Sequence, residues 1–177
     1  MSVPPIRSSW WVEDGKLLAG PTPAEYENIS RLKKFLEYGL TAFLDLRDHR
    51  EVFDGAPVVK YRHKTPSEVS YCNFPMLDGT APETCEEMDD IVRMIDGWIE
   101  NGKKVYVHCY GGHGRTGLVI ACWLIKNKQV GAMKAVSMLY DFRKESSEEL
   151  CKISCPQTTA QVMFALDYEK FLKNKNI

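Results

Sequence analysis

The chain has 177 residues, of which 44% are hydrophobic and 27% charged. That composition excludes global disorder and gives enough material for one well-packed domain but not for two. With 23 basic and 24 acidic residues the net charge is −1, which excludes a broadly cationic nucleic-acid or membrane-surface binder, so any anion site must be local.

In chain order, "SSWWVEDGKLLAG" predicts a hairpin turning at Asp14-Gly15. "TPAEYENISRLKKFLEYG" predicts a helix capped by Thr22, with Pro23 at its first position and Gly39 as its stop. Thr41–Leu46 reads as a buried strand, and a short strand is expected at Val58–Arg62 within a polar stretch. "SYCNFPM" reads as a further strand running into the loop "LDGTAPE". Met88, Ile91, Val92, Ile95 and Ile99 recur at helical spacing, predicting a helix over Pro82–Asn101 that ends before Gly102. "KVYVHC" is a strand, and three helices complete the chain at Arg115–Lys128, Ala132–Lys144 and Pro156–Lys173.

Strands interleaved with helices argue an α/β fold, a mostly parallel central sheet flanked by helices, with residues 1–177 forming one domain. No apolar run approaches the ~20 residues of a membrane helix. The N-terminus lacks the apolar core of a secretory signal. The six cysteines fall mostly in apolar periodic segments, which predicts reduced thiols and a cytoplasmic monomer. Cys151 and Cys155 lack a second pair at zinc-site spacing, so neither metal nor cofactor is expected.

The chemistry concentrates in "HCYGGHGRTG", residues 108–117. A strand ends at Cys109, a loop of Tyr110, Gly111, Gly112, His113 and Gly114 follows, and a helix resumes behind Arg115. In open α/β sheets ligands bind at such strand-to-helix loops. The glycines let consecutive backbone N–H groups converge on one point, and the positive end of the helix backs them, which suits a tetrahedral oxyanion. The Arg115 guanidinium matches two phosphate oxygens bidentately. The same field favours the thiolate of Cys109, and the Thr116 hydroxyl is placed to donate to it. Cys109 is therefore the candidate nucleophile toward phosphorus, with Arg115 and the loop amides holding the equatorial oxygens.

"HCYGGHGRTG" resembles the signature loop of the cysteine-based protein tyrosine phosphatases. Together with "KLLAGPTP", "FLDLR", "FPMLDGTAP" and "CPQTTAQ" in that order, it is similar to the small atypical dual-specificity kind, of the cyclin-dependent-kinase-associated and Swiss Army knife types. The resemblance covers most of the chain and implies a phosphatase fold. It also implies hydrolysis of phosphoproteins through a phosphocysteine intermediate. The lack of a long N-terminal extension implies a shallow pocket that would admit phosphoserine and phosphothreonine beside phosphotyrosine.

A leaving oxygen needs a proton, and Asp78, in a loop bracketed by Pro75, Gly79 and Pro82, is the candidate donor. By resemblance this is the family's mobile acid loop. Asp45 in "LDLRD" is a rival, although a structural pairing with Arg47 suits it better. Gln157 and Gln161, four residues apart on one predicted helical face, resemble the pair that orients the hydrolytic water in phosphotyrosine-specific relatives. Gln161 is preferred, with Gln157 as support.

His108 is expected to bond loop carbonyls and order the cradle. His113 stands where related loops carry an aliphatic residue and a lipid phosphatase carries lysine. It either covers the loop or favours polyanionic substrates, and "KYRHK" (Lys60–Lys64) could add a basic strip. Those two features keep a phosphoinositide or inositol-phosphate phosphatase as an alternative, against which Tyr110 replaces a second lysine. An inactive phosphate-binding module is the remaining alternative. Cys72, on the strand before the Asp78 loop, would need its Cα within about 7 Å of that of Cys109 to form a disulfide.

Overall fold

The computed structural model describes residues 2–25, 28–53 and 55–175. Its frame follows the alternation of the strand sequences. β1 (Trp10–Glu13) and β2 (Leu17–Gly20) form the antiparallel hairpin expected around Asp14-Gly15, with Gly15 at φ +71°. β2, β7 (Val105–His108), β3 (Ala42–Arg47) and β6 (Ser70–Met76) then lie parallel, in the order β1–β2–β7–β3–β6. The sheet among the described residues is thus mostly parallel, as the interleaved pattern predicts. A small antiparallel hairpin, β4 (Val52–Phe53) and β5 (Ala56–Pro57), stands apart from it.

Successive side chains leave a strand on opposite faces, and the core divides accordingly. Leu17, Ala19, Ala42, Leu44, Val105 and Val107 enter one cluster with α2 (Cys85–Glu100), α3 (Gly114–Lys128), α4 (Ala132–Ser146) and α5 (Thr159–Lys175). Leu18, Phe43 and Tyr106 enter the other with Leu32 and Phe35 of α1 (Ser30–Glu37). α3 is apolar all round because it is enclosed by the sheet on one side and by helices on the others, and every residue from Gly114 to Ile125 is buried. α2 starts on a capping box in which the Thr84 hydroxyl accepts from the Glu87 N–H at 3.2 Å and the Glu87 carboxylate accepts from the Thr84 N–H at 3.3 Å.

Several expected boundaries move. The helix expected from Pro23 begins at Ser30; Tyr26 and Glu27 lie outside the described residues. Thr22 caps a turn instead: its hydroxyl donates to the Ala24 carbonyl at 2.9 Å and accepts from Arg47 at 2.9 Å. The strand expected at Val58–Arg62 is absent. Tyr61 is drawn into the core there, and Arg62–Lys64 coil into a 3₁₀ turn. No helix among the described residues is long and apolar enough to cross a membrane.

Candidate active site

Parallel pairing places the carboxyl ends of β2, β3, β6 and β7 along one edge. The segments that leave them carry Pro21, Glu51, Asp78 and Cys109. The loop after β7 is moulded against β2. Gly112 adopts φ +78°, and a Cβ there would lie 2.3 Å from the Gly20 carbonyl carbon and 2.6 Å from the Pro21 nitrogen. Only glycine fits such a conformation and such an approach. At Gly114 a Cβ would meet the Gln157 side-chain oxygen at 2.8 Å and both Gln161 amide atoms at 3.2 Å. The Tyr110 carbonyl accepts from Thr22 N–H at 2.8 Å, and the Tyr106 hydroxyl donates to the Pro21 carbonyl at 2.6 Å.

Cys109 is 3% exposed, and its sulfur accepts from the Gly112 N–H at 3.3 Å. Arg115 is fully buried, and its two edges differ. Nη1 donates to the Met76 carbonyl at 2.7 Å and to Glu51 at 2.9 Å. Nε and Nη2 are buried without a hydrogen-bond partner. The Asp78 carboxylate approaches Nη2 to 3.0 Å, an ion-pair distance without hydrogen-bond geometry. The structure thus brings Cys109, Arg115 and Asp78 to one place. Thr116 is different, because its buried hydroxyl has no hydrogen-bond partner and the expected bond to the Cys109 sulfur is not formed.

His108 lies beneath the loop between two fixed groups. Nδ1 stands 3.0 Å from the Cys109 carbonyl, and Nε2 stands 2.5 Å from the Tyr61 hydroxyl. Burial pushes its pKa down to about 4 despite the attraction of Asp45, so the ring is neutral near pH 7. A carbonyl only accepts, so Nδ1 carries the proton and donates to it, and the Tyr61 hydroxyl donates to Nε2. Asp45 is fully buried with both oxygens occupied, by Arg47 at 2.8 and 2.7 Å, His49 at 3.0 Å and the Tyr71 hydroxyl at 3.0 Å. Burial opposes its ionisation, yet His108, Arg47 and His49 hold its carboxyl well below the usual carboxylate range. With His108 neutral, Arg47 is the principal partner. Such an acid has no proton to give.

Gln157 and Gln161 do not share a helical face, because α5 begins at Thr159. The Gln161 side-chain oxygen accepts from the backbone N–H groups of Gln157 at 3.1 Å and Thr158 at 3.2 Å, and its amide donates to the Thr80 carbonyl at 3.0 Å. Gln161 therefore both caps α5 and holds the acid loop. His113 accepts on Nδ1 from Arg143 at 2.9 Å, and burial together with the Arg143 cation pushes its pKa down to about 4. It brings no positive charge near neutral pH, which removes the polyanion argument drawn from it. Within Lys60–Lys64, Tyr61 points inward, while Lys60 and, in the 3₁₀ turn, His63 and Lys64 are exposed.

Cys72 is aligned with Leu44, which pairs with Val107, so β6 stands two strands away from β7. Two steps of ~4.8 Å already exceed the ~7 Å reach of a disulfide, and pairing with Cys109 is ruled out in this fold.

Glu51, Phe53, Tyr61 and Arg143 were not singled out from the sequence. Phe53 stacks on Tyr110 with ring centroids 4.0 Å apart, and the Arg115 guanidinium lies 6.0 Å from its ring. Arg143 is buried and donates to the Leu150 and Ile153 carbonyls as well as to His113. Among the described residues no three histidine, cysteine or acidic side chains are grouped to hold a metal ion.

A parallel sheet that carries a glycine-lined Cys-x5-Arg loop, with an acid across from it, defines a cysteine-phosphatase type of protein. Residues 25–152 match the family model described as "Dual specificity phosphatase, catalytic domain", and the chain belongs to that family. The 067L protein of Invertebrate iridescent virus 3, named provisionally as a tyrosine phosphatase, is 29% identical over 137 residues, 75% of this chain and 52% of that protein. The chain spans about half the length of the curated relatives it matches first. Among solved structures, Tk-PTP in its active form superposes with a TM-score of 0.70 at 24% identity, covering 92% of this chain and 97% of that one. PTPMT1 in complex with PI(5)P gives 0.68 at 17% identity, covering 93% and 96%. At such identities these structures share the fold.

Proposed function

We propose that this chain hydrolyses phosphate monoesters of proteins, phosphotyrosine together with phosphoserine and phosphothreonine, through a phosphocysteine intermediate. The observation that carries the reading is the Nε–Nη2 edge of Arg115, fully buried and without a hydrogen-bond partner beside the loop that holds the Cys109 sulfur. A buried guanidinium edge that makes no hydrogen bond, and meets only the exposed Asp78 carboxylate at ion-pair distance, is costly and matches two oxygens of a phosphoryl group.

In this mechanism the Cys109 thiolate forms the S–P bond as the P–O bond to the leaving group breaks. Arg115 and the loop N–H groups hold the three equatorial oxygens. Asp78 gives its proton to the leaving oxygen, then takes one from the water that cleaves the S–P bond, restoring thiolate and acid. Gln161 acts through the acid loop and the Gly114 contact. Tyr110, Gly111, Gly112, His113 and Gly114 form the cradle, ordered from below by His108.

The carboxylates of Glu51 and Asp78 lie against Arg115, and the loop histidine is neutral. That balance favours a monoester with few additional charges over an inositol polyphosphate. The test measures initial rates of the chain and its Cys109→Ser variant on matched phosphotyrosine and phosphothreonine peptides and on an inositol polyphosphate, with chelator and thiol reductant present. Cys109-dependent turnover of the peptides is expected. Preference for the inositol compound would replace the protein-substrate reading, and phosphate binding without turnover would leave a binding module.

A further inference from the structure

The carboxylate of Glu51 joins two parts of the site that belong to different elements. Oε2 accepts from Arg115 Nη1 at 2.9 Å, and Oε1 accepts from the backbone N–H of Asp78 at 2.6 Å. Glu51 itself is fixed from elsewhere. Its N–H donates to the Asp48 carbonyl at 3.1 Å and its carbonyl accepts from Val58 N–H at 3.2 Å, closing the base of the β4–β5 hairpin. Phe53 of that hairpin stacks on Tyr110 of the phosphate loop. The hairpin is thereby docked on the phosphate loop independently of Asp78, and it presents a ready anionic acceptor to the acid loop.

The opposite side of the acid loop is held as well. The Thr158 hydroxyl donates to the Gly79 carbonyl at 3.0 Å, and Gln161 donates to the Thr80 carbonyl at 3.0 Å. Three successive residues are thus gripped by their backbones, while the Asp78 side chain remains 57% exposed. A clamped backbone with an exposed carboxylate, held only by its ion pair to Arg115, is the arrangement an acid needs if it must leave Arg115 when a phosphoryl group arrives and still stay beside the leaving oxygen.

We propose that Glu51 is a positioning residue for the acid step. It couples the guanidinium that binds the phosphoryl group to the backbone that carries Asp78, so that phosphoryl binding and acid placement occur together. A carboxylate receiving an N–H forms a charge-assisted bond, about twice as strong as a neutral one, and a displacement of about 1 Å at a reacting group is enough to cost orders of magnitude in rate. The inference rests on the phosphatase reading for its kinetic consequence. The rival role, holding Arg115 alone, predicts different behaviour.

The test uses the full chain, Glu51→Ala, Glu51→Gln and Asp78→Asn, on aryl monophosphates ranging from a dinitrophenyl ester, whose leaving group departs unaided, to phenyl phosphate, which needs the proton. Glu51→Ala should lower kcat on phenyl phosphate about 10²-fold, hardly change it on the dinitrophenyl ester, and add no further loss in the Asp78→Asn background. Equal losses on both esters, or losses that multiply with Asp78→Asn, would overturn the proposal.

A second arm needs no turnover. Amide hydrogen exchange of residues 77–80 is followed in the Cys109→Ser background with saturating inorganic phosphate. The segment should be protected with Glu51, remain so with Gln at that position, whose amide oxygen still accepts, and lose protection in Glu51→Ala. Unchanged protection in Glu51→Ala would overturn the clamp. If the chain hydrolyses no ester, the phosphatase reading fails and the exchange comparison alone decides Glu51.

Discussion

At Gly112 two independent demands meet on one residue. Its φ of +78° belongs to the left-handed region, and its α-carbon lies against the Gly20–Pro21 backbone where a methyl group would sit 2.3 Å from a carbonyl carbon. Neither neighbour is a flexible side chain that could yield. Gly112→Ala should therefore push the phosphate loop off β2, lowering Cys109-dependent turnover more than 10²-fold and stability by about 2 kcal/mol. Thermal melts beside initial rates check this, and near-native values for both would refute the packing argument. Cys109 and Arg115 were legible at this scale because their spacing and the glycines between them are local. Glu51 was not, because an acidic residue in a polar stretch carries no signal until a tertiary contact gives it a partner.

The elements divide by how much of their character is local. α2 is announced by its own sequence, with five apolar residues at helical spacing, although it starts at Cys85 behind a Thr84–Glu87 capping box rather than at Pro82. Thr84→Ala should cost about 1 kcal/mol of stability while leaving kcat unaltered, since Thr84 touches none of the site residues. A urea titration alongside a rate assay decides it, and an unshifted midpoint would show the cap to be dispensable. α1 shows the opposite case. Thr22 and Pro23 supply a respectable helix start, yet buried Arg47 recruits the Thr22 hydroxyl from 25 residues away in sequence and α1 begins only at Ser30. The segment at Val58–Arg62 failed as a strand for a related reason. Tyr61 is taken by His108 at 2.5 Å rather than by a neighbouring strand.

For the whole molecule, the buried network under the phosphate loop links stability to pH. His108 has a folded pKa of about 4 against an unfolded value near 6.5. Between those values the unfolded chain binds a proton that the native state refuses, so stability rises with pH across this window and falls as the pH drops through it. The full difference is roughly 3 kcal/mol at ~1.36 kcal/mol per unit. His113, lowered to about 4, acts in the same direction. Asp45, depressed well below the carboxylate range, adds stability that is present above its unfolded value of ~4 and is lost in more acid solution. The urea midpoint should therefore fall steadily from pH 7 to pH 4 and go on falling below that as Asp45 takes up its proton. A midpoint that stays level between pH 7 and pH 4.5 would mean that His108 is not held neutral.

By itself the sequence determined the alternating strands, the amphipathic and all-apolar helices, the α/β class, and the glycine-rich loop that sets one cysteine and one arginine at its two ends. Each of these is a property of neighbours within a few residues. The tertiary structure alone decided which acid reaches Arg115, which acid is locked away with Arg47, and that Gln161 grips the Asp78 loop through Thr80. It also decided that the loop histidine is neutral. Those outcomes depend on strand order and on burial. Parallel pairing gathers residues 21, 51, 78 and 109 at one sheet edge, and loss of solvent, rather than residue type, leaves His108 and His113 beside them without charge.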